Sequence, residues 1–124
     1  MSYNYTIHVS FSYGGISLVF KRTLENMSFV PFYDMELNFN NKKDYIVHLK
    51  NTDNCQTNIS YDLINQKFDI NVRYIWKFPV SDSTIDSVLE MFSDTTICGH
   101  GFNPWERLDT TDISKMKEIM RKKF

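Results

Sequence analysis

The chain has little of what staples, breaks or arms a small protein. Only two cysteines occur in 124 residues, Cys55 and Cys98. Two thiols make no disulfide framework and point to a reducing compartment, with a single Cys55–Cys98 bridge left open. Histidine is limited to His8, His48 and His100. Prolines number three and glycines four; Gly14-Gly15 reads as a turn, Pro79 as a strand end and Pro104 as a helix start. No stretch approaches the roughly 20 apolar residues of a membrane span. Met-Ser-Tyr-Asn-Tyr-Thr-Ile-His lacks both the basic and the apolar region of a signal peptide. There is no Gly-x-Gly-x-x-Gly, P-loop, Gly-x-Ser-x-Gly or His-Glu-x-x-His, and with them go the nucleotide, serine-hydrolase and zinc-protease readings those motifs would carry.

Charge of one sign is also missing. Fourteen Lys and Arg stand against fifteen Asp and Glu, a formal net charge of −1. No overall field therefore draws the chain to nucleic acid or an anionic membrane. These absences point to a soluble cytoplasmic protein with no cofactor, whose partner is another protein rather than nucleic acid or membrane. Oligomeric state is not legible. Frequent Asn, Lys, Ile, Tyr and Phe fit an AT-rich gene, as in phages and low-GC bacteria.

What the chain does have is aromatic residues, 15% of the total, and period-two alternation. Phe68, Ile70, Val72, Tyr74, Trp76 and Phe78 fall on every second residue, the pattern of a strand with one buried face. Tyr3, Tyr5, Ile7, Val9, Phe11 and Tyr13 repeat it. Gly14-Gly15 then suits a two-residue type I′ turn, which would set Tyr13 against Ile16, Phe11 against Leu18 and Val9 against Phe20. Thr23 to Ser28 reads as a connection. Further strands are expected at 33–39, 45–49 and, more weakly, 57–61.

Pro79 should end the long strand. Ser81 is a credible N-cap, with Val80 and Ile85 as a hydrophobic staple. Ile85, Val88, Leu89 and Phe92 form the apolar stripe of a helix. Trp76 is expected to be buried against that stripe. Asn103-Pro104-Trp105-Glu106 has the form of a one-turn helix start. Asp109 is the expected cap of a final helix, with Leu108 and Ile113 as its staple and Ile113, Met116, Ile119 and Met120 inward. The sum is a single α+β domain over 1–124: about six antiparallel strands in meander order, then two C-terminal helices on one face. A sheet curled into a partial barrel is the variant.

Chemistry-bearing residues cluster only at Cys98-Gly99-His100-Gly101. A thiol and an imidazole on such a loop would serve as nucleophile and base, or as metal ligands. The bland reading, a buried cysteine beside a turn, is favoured because the spacing fits no zinc motif. His8-Val9-Ser10 is half of a two-histidine phosphoesterase pair, but neither His48 nor His100 supplies the other half. Asp34 and Glu36 share a strand face without a cleft. Lys115, Lys117, Arg121, Lys122 and Lys123 make the last helix basic, which its C-terminus favours without any ligand. Phe102, Pro104 and Trp105 are large apolar groups on a loop, and such groups either plug a core or anchor a partner. The preferred reading is a non-enzymatic protein-binding or inhibitory module, comparable by analogy with phage anti-defence or bacterial immunity proteins. The alternative is a small metal- or thiol-dependent hydrolase using Cys98 and His100.

Overall fold

The computed structural model describes residues 2–27, 54–62, 64–93 and 104–122. The segments expected as strands at 33–39 and 45–49, and the loop carrying Cys98, His100 and Phe102, lie outside the described residues.

Two hairpins form the body of the sheet. β1 (Tyr3–Tyr13) and β2 (Ile16–Met27) are joined by Gly14 and Gly15, whose φ angles of 57° and 82° are those a type I′ turn demands. Tyr13 pairs with Ile16, Phe11 with Leu18 and Val9 with Phe20, the register the turn and the apolar pattern together specify. β2 runs on through Thr23–Met27, where a connection was expected. Its end carries a bulge: Tyr5 faces Leu24 but Tyr3 faces Met27. Asn26 absorbs the extra residue at φ 57°, and its N–H donates to the Asn4 side-chain oxygen at 3.0 Å.

β3 (Cys55–Asp62) and β4 (Lys67–Ile75) make the second hairpin. Asp62 organises its loop by accepting from the N–H groups of Ile64 and Asn65 and from the Asn65 amide at 2.8 Å. That side-chain bond from Asn65 is the main cause of a carboxyl pKa below its ordinary value.

The hairpins meet through their inner strands, and that contact departs from the expected meander. β1 and β4 run parallel, Ile7 beside Ile70 and Val9 beside Val72. The sheet is mixed, in the order β3-β4-β1-β2-β5, and as described it does not close into a barrel. β5 is the two-residue strand Glu106–Arg107, paired with Phe20 and Lys21. The Asn-Pro-x-Glu helix signal is thus overridden by the edge of β2, which offers backbone partners a one-turn helix lacks.

One face of the sheet is the core. Tyr5, Ile7, Val9 and Phe11 on β1, Leu18 and Phe20 on β2, and Phe68, Ile70 and Val72 on β4 are all buried. Helices α1 (Asp82–Ser93) and α2 (Ile113–Arg121) add Ile85, Phe92, Met116 and Met120 to the same cluster. Burying each such side chain contributes about 1.5–3 kcal/mol. Ser81 caps α1 as expected, its hydroxyl accepting from the Thr84 N–H. α2 is capped by Asp112, which accepts from the N–H groups of Ser114 and Lys115. Asp109 is therefore not the cap, and Leu108 is exposed rather than stapled. Two ion pairs join the helices, Lys117 to Asp86 at 2.7 Å and Arg121 to Asp82.

Candidate partner-binding surface

The long aromatic strand stops earlier than its alternation suggests. The Trp76 N–H donates to the Ser12 carbonyl at 2.9 Å, and there the ladder ends. On the β1 side the cause is the turn at Gly14, beyond which β1 offers Lys77 and Phe78 no backbone partner. Phe78, an expected core residue, is 78% exposed. Trp76 is half-buried rather than enclosed by the α1 stripe; its ring lies 5.4 Å from that of Phe11.

The chain turns at Pro79 and enters α1 under the Ser81 cap. The end of β4, the turn through Val80, and Asn54 before β3 border an open groove of about 410 Å³. Trp76, Phe78, Pro79 and Val80 supply its apolar surface, and Ile75 and Lys77 line it from the other side of the strand. The groove has a firm base. Val80 and Trp76 pack on the core, and the Phe11 ring behind Trp76 stacks on Tyr74 at 5.0 Å and meets Phe92 edge-on at 5.7 Å. Sequence reasoning missed this site, because period two continued through Phe78 while the pairing did not. The available signal was Pro79 so soon after Phe78.

Of the expected contact residues, Pro104 is exposed and Trp105 half-buried, and Phe102 lies outside the described residues. The Trp105 ring meets Phe92 edge-on at 4.8 Å and lies 5.9 Å from the Arg22 guanidinium. Arg22, on the core face of β2, is only 1% exposed. Trp105 thus seals the core between α1 and β2, and Pro104 is the part of that segment presented outward.

The other candidates separate. Cys98, His100, His48, Asp34 and Glu36 lie outside the described residues; Cys55 is half-buried at the start of β3. His8 is on the polar face of the sheet, between Asn71 of β4 and Lys21 of β2. No three His, Cys, Asp or Glu side chains converge among the described residues. The shifted carboxylates serve the fold. Burial alone would raise the Asp109 carboxyl, but hydrogen bonds from Arg107 and from the Val19 and Thr111 N–H groups outweigh it and bring it down to about 2. The Arg121 hydrogen bond lowers Asp82. Two cations of the basic helix, Lys117 and Arg121, are thereby engaged with α1. No helix among the described residues is long and apolar enough to cross a membrane.

No family model matches the chain, and neither the curated proteins nor the solved structures contain a significant match to it.

Proposed function

We propose that the protein is a non-enzymatic binding module that docks another protein, in the manner of small inhibitory, anti-defence or immunity proteins. The observation that carries this reading is Phe78. A large aromatic side chain stands 78% exposed at the rim of an apolar groove, on a corner anchored to the core through Trp76 and Val80. Aromatic side chains on rigid supports are the usual anchors of protein interfaces. Pro104, with Trp105 behind it, is a second contact. The competing hydrolase reading rests on Cys98 and His100, and no described feature adds to it.

The test is affinity capture from the producing cell with wild-type and Phe78→Ser protein as bait, each first shown to have the same thermal midpoint. A partner identified by mass spectrometry, retained by the wild type and lost with Phe78→Ser, supports the module. Identical captures, together with substrate turnover abolished in His100→Ala, would replace it with the enzyme.

A further inference from the structure

We infer that the groove beside Phe78 takes an extended acidic segment of a partner, an aromatic or aliphatic side chain entering it and a flanking carboxylate meeting Lys77 and Arg73. This deepens the proposed function and rests on it. The first ground is the volume. At about 410 Å³ the groove has room for a bulky side chain, within the roughly 300–1,000 Å³ common to ligand sites. It is open, and an exposed aromatic stands on its rim, so it suits a chain passing over it better than an enclosed small molecule.

The second ground is charge. Arg73, Ile75 and Lys77 alternate along β4 and its continuation, so they share the polar side of the strand. The register neighbours of Arg73 and Ile75 are Ser10 and Ser12 on β1 and Gln56 and Asn54 on β3, and none of these four is a carboxylate. Neither Arg73 nor Lys77 is in an ion pair among the described residues. Three other cations are paired, Arg107 with Asp109, Lys117 with Asp86 and Arg121 with Asp82, so what sets Arg73 and Lys77 apart is their place at the groove end of β4. Lys77 lines the apolar groove and Arg73 stands four residues before it on the same side of the strand; in a chain of net charge −1, this pair is complementary to an acidic, apolar segment and repels a basic one.

Selection of a random peptide library on the immobilised protein tests this. We expect enriched peptides to carry an aromatic or large aliphatic residue flanked by Asp or Glu. A synthetic peptide of that consensus should lose about tenfold in affinity with Lys77→Glu, and as much with Phe78→Ser. Its binding should weaken from about 0.05 M to about 0.5 M salt. Both variants must retain the wild-type thermal midpoint. Enrichment of neutral or basic peptides that still need Phe78 would overturn the acidic partner and leave the module standing. Enrichment indifferent to both variants, or none at all, would remove the groove as a docking site.

Discussion

The Asp109 carboxylate accepts a hydrogen bond from the Val19 backbone N–H at 3.1 Å, the place a strand carbonyl would take if β5 continued. The Leu108 N–H donates to the Val19 carbonyl beside it at 2.8 Å. A side chain thus completes a ladder that its own strand leaves after two residues. Arg107 holds that carboxylate through both its Nε and Nη2, and the Thr111 hydroxyl donates to the Ser17 carbonyl one step along. The knot fastens the segment leading into α2 to the edge of β2.

Asp109 should therefore stabilise the fold in a pH-dependent way. Its folded pKa of about 2 lies below the ordinary 3.8. The folded state binds fewer protons in that interval, so the stabilisation is full above about pH 4 and is lost as pH falls toward 2. Allowing for the part-exposed Arg107, it is on the order of 1–2 kcal/mol. Urea midpoints of wild type and Asp109→Asn should differ at pH 7, draw together as pH falls toward 2 and converge below it. A gap independent of pH would show that the carboxylate charge is not what matters.

Gly15 is the second point where a single residue decides the geometry. Its φ of 82° is strained for any L side chain, while a Cβ there would meet nothing within 4 Å. The cost of Gly15→Ala is then a backbone cost alone, about 1 kcal/mol. Gly14→Asn, at φ 57°, should be nearly neutral because Asn tolerates that region. Equal losses from the two substitutions would contradict the type I′ assignment.

The cross-helix ion pairs are exposed and should respond to salt. Asp82 is held low by Arg121, so its contribution is present above its unfolded pKa and lost on acidification. Asp82→Asn combined with Asp86→Asn should lower the thermal midpoint slightly at low ionic strength and leave it unchanged near 1 M salt. A deficit that persists at high salt would mean these groups act through packing.

The first hairpin was legible because two independent signals, the glycine pair and the alternation, agree on one register. α1 was legible for the same reason: cap, staple and stripe coincide. The parallel contact of β1 with β4 was not, since local patterns say which face of a strand is buried but not which strand lies beside it. Asp109 and Asp112 are chemically equivalent caps, and the β2 edge decides between them by engaging Asp109. The candidate groove was hidden by the same limit. Pro79 marks the end of the strand, but nothing local to Phe78 records that β1 has already turned away.

That limit yields the sharpest energetic contrast. Alternation alone ranks Trp76 as core, whereas in the folded chain Phe92 is the side chain that ties the layers together. Its ring stacks on Phe20 at 4.4 Å and meets Phe11 and Trp105 edge-on at 5.7 and 4.8 Å, and it is buried. Trp76 is half-buried, against Phe11. Phe92→Ala removes a fully enclosed aromatic and should cost about 3–5 kcal/mol, a large part of a small domain's stability. It also withdraws the support of Trp105, so tryptophan emission should shift to the red. Trp76→Ala empties a site that solvent already reaches and should cost about 1–2 kcal/mol. Denaturant midpoints decide between the two rankings. If Trp76→Ala proves as damaging as Phe92→Ala, then Trp76 is a core residue after all, and the groove at its edge is closed in solution.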